Sequence, residues 1–134
     1  MANSKADKHW VSAKDELIAA ANHAGIDSSI MIKIAGFESG FNEHARPISS
    51  NSSKNTVTQF DGQKAISSAY GYGQFLDGTW TNMLNQHGAK YGVPDAGHLS
   101  KSEANQYRND TRLQAAMLAE FTKHNVELGG KIGG

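Results

Sequence analysis

Glu38 is the carboxylate whose sequence context best suits acid–base chemistry. It follows Ile34 by four positions and Met31 by seven, so on a helix it shares their apolar face. It also falls in the last turn of that helix, where the negative end of the helix dipole disfavours an anion. Phe37 and Phe41 would lower the local dielectric. These effects favour the protonated carboxyl that a general acid needs, although a glutamate ion-paired at a helix end fits the same pattern.

A glycine-rich segment at residues 71–76, GYGQFL, is the second feature that could contact a ligand. It does not fit the dinucleotide-binding pattern GxGxxG, because Leu76 occupies the third glycine position. A phosphate-binding P-loop is excluded as well, because Thr79 stands where that motif requires lysine. The segment is then a tight turn that presents Tyr72, Gln74 and Phe75. These groups suit sugars and amides, or the aromatic rings belong to the core.

Metal and cofactor chemistry finds no support in the sequence. The six histidines show no HxxxH or HExxH spacing, and there is no cysteine. Zinc, iron–sulfur and thiol chemistry therefore lack their usual ligands. No serine lies in a nucleophile-elbow pattern. We expect no metal and no cofactor.

Five helices are predicted to position these residues, in one domain, since 134 residues suit a single core. Four of them have an apolar stripe, the short fourth helix rests on its capping box, and each helix has at least one end signal. A stripe on the last helix includes Glu120, which we expect to be a partly buried, hydrogen-bonded group. The predicted helices are residues 12–24 ending at Gly25, 28–39 capped by Asp27 or Ser28, one capped by Asp77, one in a capping box of Ser100 and Glu103, and one capped by Asp110.

Residues 42–71 are rich in Asn, Ser, Thr and Gly, and are predicted to form a long polar loop with a short hairpin around 56–60. Such a loop suits one wall of a cleft, or it is only a solvated segment. The sequence thus predicts a mainly α (α+β) domain at residues 12–128. A flexible N-terminus at 1–11 and a Gly-rich tail at 129–134 flank it.

The overall charge and the N-terminus limit the partners. Thirteen basic and thirteen acidic residues balance, so nothing steers the whole chain towards nucleic acid or anionic lipid. No apolar run approaches the roughly 20 residues of a membrane span, and residues 1–10 lack the apolar region of a Sec signal. We expect a monomer that binds neither nucleic acid nor a membrane interior.

Two segments together resemble a known family. Residues 34–42, IAGFESGFN, resemble the ESGFN motif of the soluble lytic transglycosylase and goose-type lysozyme domains. Residues 67–80, SSAYGYGQFLDGTW, resemble the motif SSAxGLxQF…TW of the same family, in the same order. Segments at 87–92 and 109–119 look like later parts of phage-type members. The resemblance covers about residues 15–128.

The resemblance implies a lysozyme-like fold and cleavage of peptidoglycan at the β-1,4 bond between N-acetylmuramic acid and N-acetylglucosamine. Glu38 would protonate the leaving oxygen and then act as the base while a 1,6-anhydro end forms. Ser39 and Gln74 match positions that support the catalytic Glu and the substrate. Tyr72 and Phe75 would line the cleft, and Tyr70 is the fifth predicted substrate-binding residue.

The chain departs from the family pattern at two places. The stretch 48–66 is longer than usual and contains Asp61, which is either a solvated turn residue or a second carboxylate that holds the water of a hydrolytic lysozyme. The late Ala-Tyr-Asn-like motif is missing before residues 128–134, LGGKIGG, which are a possible truncation point.

The resemblance leaves three functions open. A lytic transglycosylase is favoured over a muramidase, and a wall-binding module without catalysis is the third reading. We expect the protein to act on the bacterial cell wall as a glycosidase or lyase. Delivery by a bacteriophage, as an endolysin or virion-associated enzyme, or another export route would fit the missing signal.

Overall fold

The computed structural model describes residues 5–48 and 56–127. The described part is mainly helical, with one two-stranded antiparallel sheet, and this confirms the predicted fold class. No helix within it is long and apolar enough to cross a lipid bilayer. The elements are α1 (Lys5–Ala24), α2 (Ser28–Ser39), β1 (Val57–Thr58), β2 (Lys64–Ala65), α3 (Asp77–His87), a 3₁₀ turn (Gly88–Tyr91), α4 (Lys101–Asn105) and α5 (Thr111–Glu127).

Helix α5 is the central element, because residues 113–120 are all buried and so face the protein interior on every side. Alanines at 115, 116 and 119 let the neighbouring helices approach closely. Helix α1 packs along it through Ala13, Leu17 and Ala21, which repeat every four residues and are fully buried. Helices α2 and α3 also contact α5.

Helix α1 begins at Lys5, earlier than the predicted start at residue 12. Trp10 lies in this added part and packs on Phe41, with the ring centroids 5.0 Å apart. The early turns are thus supported by a tertiary contact that the helical period does not reveal. Part of the predicted flexible N-terminus is therefore helical, while the predicted tail at 129–134 lies outside the described residues.

Most predicted helix ends are confirmed. The Asp27 carboxylate accepts a hydrogen bond from the Ser29 amide, and Gly40 ends α2 in the left-handed conformation. The capping box of Ser100 and Glu103 is present at α4. Similarly, the Asp110 carboxylate accepts from the Leu113 amide at 3.1 Å at the start of α5.

The predicted cap of α3 is wrong. Leu76 is the N-cap residue, and Asp77 is the first helical residue. The Asp77 carboxylate instead pairs with Arg108 at 3.0 Å. An acidic group in the first turn still suits the positive end of the helix dipole. The sequence around Asp77 does not show whether its carboxylate caps the helix or pairs with Arg108, which is distant in the chain.

The hairpin predicted around residues 56–60 extends from β1 to β2, in the register Val57↔Ala65 and Thr58↔Lys64. Its turn, residues 59–63, is closed by a hydrogen bond from the Gln59 amide to the Gln63 carbonyl at 2.8 Å. The buried Gln59 side chain donates from Nε2 to the carbonyls of Ser67 and Ala69, both at 2.9 Å. The hairpin is thereby attached to the segment that leads into the glycine-rich turn.

Glu120 is a buried, hydrogen-bonded group, as the sequence predicted; 5% of its side chain is exposed. The Tyr91 hydroxyl donates to its Oε2 at 2.6 Å, and Lys90 Nζ lies 3.0 Å from the same oxygen. His87 lies 3.5 Å from Oε1. Burial by itself raises the pKa of Glu120, but the bonds from Tyr91 and Lys90 lower that pKa overall.

Arg108 holds the glycine-rich segment in place from inside the protein, with 1% of the residue exposed. Its guanidinium donates to the Phe75 carbonyl at 2.9 Å and to the Ser68 carbonyl at 2.8 Å. It also pairs with Asp77 and lies over the Trp80 ring. Burial lowers the pKa of Arg108, and the Asp77 carboxylate opposes that effect.

Replacing Arg108 by methionine is expected to destabilise the protein by about 3 kcal/mol, because the substitution leaves Asp77 and two buried carbonyls without their partner. Arg112→Met is the matched control, since Arg112 is exposed and makes one hydrogen bond, to the Tyr91 carbonyl. The control should cost about 0.5 kcal/mol or less. Urea unfolding monitored by circular dichroism measures both. Equal losses would contradict the role given to Arg108.

Candidate active site

Glu38 lies in the last turn of α2 with its side chain exposed, next to Phe37, which is 83% exposed. The expectation that Glu38 lies on the buried face of the helix is therefore wrong. The buried residues of α2 are Met31 and Ala35. At this end of the helix the Phe41 ring packs against Gly36, and Phe37 and Glu38 are left exposed. No hydrogen bond or ion pair joins the Glu38 carboxylate to another residue of the described part.

The backbone after Glu38 turns back sharply and closes the core below it. Gly40 has φ 59° and Phe41 has φ 64°, so two successive residues are left-handed. This conformation is unfavourable for a phenylalanine and is accepted because the ring is packed. The ring lies against Gly36, where a Cβ would come within 2.8 Å of it, and against Trp10. The Phe41 ring therefore covers the end of α2 at Gly36 and joins it to Trp10 of α1.

Ser39, predicted to support Glu38, is partly buried and donates from Oγ to the Ala35 carbonyl at 2.8 Å. This bond adds a side-chain donor to a carbonyl that also accepts from the Phe41 amide at 3.4 Å. The hydroxyl thus stabilises the end of the helix that carries Glu38.

The glycine-rich segment belongs to a turn of residues 70–75, the glycine-rich turn, which is hydrogen-bonded to the loop that follows α2. An isolated bridge joins Tyr70 and Phe75 at the base of the turn. The Gly71 amide donates to the Ala45 carbonyl at 2.9 Å. Gln74, with φ 53°, donates from Nε2 to the carbonyls of Ala45 and Gly71 at 2.9 and 3.0 Å. The Gln74 amide nitrogen is thus used within the fold.

Tyr72 and Phe75, predicted to line a cleft, are both buried in the core. The Tyr72 hydroxyl lies 3.4 Å from Glu16 Oε1 on α1. The Phe75 ring packs edge-on against Phe121 of α5, with the centroids 5.4 Å apart. The alternative reading of the turn, in which its aromatic rings belong to the core, matches these positions.

Tyr70 joins three segments through its hydroxyl and its ring, and it is 3% exposed. The hydroxyl donates to Asn109 Oδ1 at 2.5 Å and lies 2.7 Å from His44 Nδ1. Because the single Tyr70 proton goes to Asn109, His44 Nδ1 must be the donor in the second bond. The ring packs edge-on against Phe60, at 4.9 Å, and lies under Arg46. Burial raises the pKa of Tyr70, so the hydroxyl keeps its proton.

Asp61 lies in the turn of the hairpin and is bound by Arg46. The two Arg46 nitrogens contact the two carboxylate oxygens at 2.9 and 2.6 Å. The Gln63 amide also donates to Asp61 Oδ1, at 3.1 Å. The Arg46 guanidinium lowers the pKa of Asp61 to about 2. Both oxygens of this carboxylate thus already have a protein partner.

Sequence reasoning did not single out His44, Arg46, Asn109 or Gln114, which hold this region together. Their partners are distant in the chain: His44 bonds Tyr70, and Gln114 bonds Tyr72 and Glu43. Asn109 and Gln114 fall in the segment 109–119 that resembles later parts of phage-type members, but the sequence assigns no role to any of the four. The position of Gln114 inside a run of buried residues was the one available signal, since a buried amide needs partners.

A family model described as a transglycosylase SLT domain matches residues 4–117, which is most of the chain and includes both motifs. The match confirms the resemblance of the two motifs to the soluble lytic transglycosylase family. No solved structure matches the chain.

The ion pair of Arg46 and Asp61 predicts a pH dependence of stability. Asp61 has a lower pKa in the folded protein than its ordinary value of 3.8, so it stabilises the fold above about pH 4. That contribution should fall away as the pH drops from about 4 to about 2. Asp61→Asn is expected to cost about 1 kcal/mol at pH 7 and almost nothing near pH 2. Urea unfolding of both proteins across this range measures the difference, and a constant difference would contradict the assignment.

Proposed function

We propose that this chain, which belongs to the transglycosylase SLT domain family and is a lytic transglycosylase domain acting on peptidoglycan, uses Glu38 as its single acid and base. The contrast between two carboxylates carries the proposal. Glu38 is exposed at the rigid end of α2 and makes no bond to the described residues, whereas Asp61 is held on both oxygens by Arg46. A carboxyl that must exchange a proton with the substrate has to be exposed and free of bonds to protein groups, as Glu38 is among the described residues.

The proposed reaction cleaves the bond between N-acetylmuramic acid and N-acetylglucosamine. Glu38 gives its proton to the bridging oxygen as the bond from C1 to that oxygen breaks, and N-acetylglucosamine leaves with a hydroxyl group. The Glu38 carboxylate then takes the proton from the muramyl 6-hydroxyl, while the oxygen of that hydroxyl bonds to C1. The product is a 1,6-anhydro ring, no water is consumed, and Glu38 is again protonated. One carboxyl in two successive roles is sufficient.

Because Glu38 is exposed in the free protein, water must be excluded from its carboxyl by the bound glycan. Phe37 lies next to it and offers an exposed ring, so a sugar seated on Phe37 would exclude water from the carboxyl. We therefore assign Phe37 to substrate binding together with Glu38.

The other predicted substrate residues have supporting roles in this proposal. Ser39 fixes the end of α2, and Gln74 and Tyr70 fix the glycine-rich turn against the loop after α2. Tyr72 and Phe75 pack in the core. The hydrolytic alternative needs a second carboxylate that is free to activate a water molecule, and the ion pair of Asp61 argues against that use.

A phage origin, as an endolysin or a virion-associated enzyme, fits the later segments at 87–92 and 109–119. The substrate places the site of action at the bacterial cell wall.

Glu38→Gln should lower turnover of purified peptidoglycan by about 10²- to 10⁴-fold, because the amide can neither give nor take the proton. Turnover is measured as the release of soluble fragments. Glu127→Gln is the matched control, since Glu127 is exposed at the end of α5, and its activity should equal that of the native protein. Both variants should keep the native melting temperature. Substantial turnover by Glu38→Gln would refute the role of Glu38.

The products distinguish the two chemical outcomes. Mass spectrometry of the released fragments should find anhydro-muramyl ends, which are one water lighter than reducing ends. Asp61→Asn should give the same ends with turnover within about 3-fold of native, because its role is to hold the hairpin. Reducing ends that disappear in Asp61→Asn would establish the hydrolytic alternative instead.

A further inference from the structure

A cavity of about 410 Å³ lies between α1 and α5, with the 3₁₀ turn as part of its wall. Ala19 and Ala20 of α1 and Ala116 of α5 line it, so small side chains leave this space between the two helices. The Tyr91 ring adds an aromatic surface, and the His23 ring packs edge-on against it with the centroids 5.3 Å apart. The volume and the apolar lining are typical of a site for a small molecule.

This cavity is separate from the candidate active site. Its lining residues within the described part of the chain come from α1, α5 and the 3₁₀ turn, and none belongs to α2 or to the glycine-rich turn. On α1, Ala20 is ten positions beyond Trp10, the residue that packs on Phe41 after the end of α2. Ten helical residues span about 15 Å along the axis. A ligand in the cavity would therefore not occupy the surface around Glu38 and Phe37.

Two side chains of opposite charge line the cavity, and neither forms an ion pair within the described part of the chain. Arg112 of α5 is exposed and donates to the Tyr91 carbonyl at 3.0 Å. Glu16 of α1 accepts from the Thr111 hydroxyl at 3.0 Å and lies 3.4 Å from the Tyr72 hydroxyl. These partners are neutral groups, so they leave both charges uncompensated.

The two charges also do not neutralise each other. The Glu16 carboxylate is bonded to Thr111, the residue next to Arg112, yet Glu16 and Arg112 form no ion pair among the described residues. Lys90, which also lines the cavity, is paired with Glu120 at 3.0 Å. A ligand that carries one ammonium and one carboxylate would match both groups at once, whereas a singly charged ligand would match only one of them.

We propose that this cavity binds a free α-amino acid with a large apolar side chain. The ligand carboxylate lies at Arg112, its ammonium at Glu16, and its side chain against the alanines and the Tyr91 ring. This binding site goes beyond the proposed cleavage reaction and does not depend on it. Because Glu16 also lies against the Tyr72 hydroxyl, a ligand at Glu16 would contact a group that helps to hold the glycine-rich turn.

Titration with phenylalanine tests the site directly. Isotope-labelled protein is titrated and its backbone amide shifts are followed by NMR; the shifts should centre on residues 16–23, 90–91 and 112–116. Phenylalaninamide lacks the carboxylate and N-acetylphenylalanine lacks the ammonium. Each should bind about 3- to 10-fold more weakly, the scale of one exposed ion pair. Shifts centred elsewhere, no shifts, or equal binding of all three compounds would overturn the proposal.

Two variants assign each ligand charge to its residue. Arg112→Met should bind phenylalanine and phenylalaninamide equally, because the partner of the carboxylate is gone. Glu16→Gln should bind phenylalanine and N-acetylphenylalanine equally, while its amide oxygen can still accept from Thr111. Lys33→Met, exposed on α2, is the control and should keep the native preferences.

The Arg112 arm is decisive by itself, since Arg112 is exposed and its replacement should leave the melting temperature close to native. If Arg112→Met still prefers phenylalanine over its amide by the native factor, the proposed site is refuted. Turnover of peptidoglycan does not enter either measurement, so this proposal and the role of Glu38 fail separately.

Discussion

The side-chain amide of Gln114 joins the segments that surround the candidate site, and the rest of that region depends on it. Its Oε1 accepts from the Tyr72 amide at 2.9 Å, and its Nε2 donates to the carbonyls of Glu43 and Arg108 at 2.9 and 2.7 Å. Gly71 has no side chain because a Cβ there would overlap the Gln114 amide. A buried amide must be hydrogen-bonded. Because Gln114 belongs to the central helix α5, its bonds fix the positions of the glycine-rich turn at Tyr72 and of the loop after α2 at Glu43.

Side-chain hydrogen bonds, rather than a β-sheet, hold together the region between α2 and α3. The strands β1 and β2 have two residues each, which is too little to fix a cleft wall by backbone pairing. Arg108, Tyr70 and Gln59 supply the missing links, each through bonds to backbone or side chains of other segments. This design keeps backbone carbonyls satisfied in a region that is largely irregular.

Three carboxylates with similar intrinsic chemistry occupy three different electrostatic situations. Glu120 is buried, pairs with Lys90 and accepts a hydrogen bond from Tyr91; Asp61 is held by Arg46, and Glu38 is exposed. Their partners distinguish them, since the first two are stabilised as anions by bonds already made. Glu38 alone of the three makes no bond to the described residues, and this supports one acid in two roles over a pair of carboxylates.

The sequence by itself determined the helices, most of their caps and the two motifs that indicate the family. These features depend on interactions between residues a few positions apart, as at Asp27, Gly40 and the capping box of Ser100. The sequence also identified Glu120 as a buried polar group, because it lies on an apolar helix face.

Only the tertiary structure decided how the site is held and which aromatic residues are available. Phe41 turns back over Gly36 and leaves Glu38 and Phe37 in solvent, which the helical period could not show. Asp77 serves Arg108 rather than the helix cap, and Gln114 reaches back to Glu43. Such pairings join residues that are far apart in the chain. Their energies depend on packing and desolvation, which exist only once the core has formed.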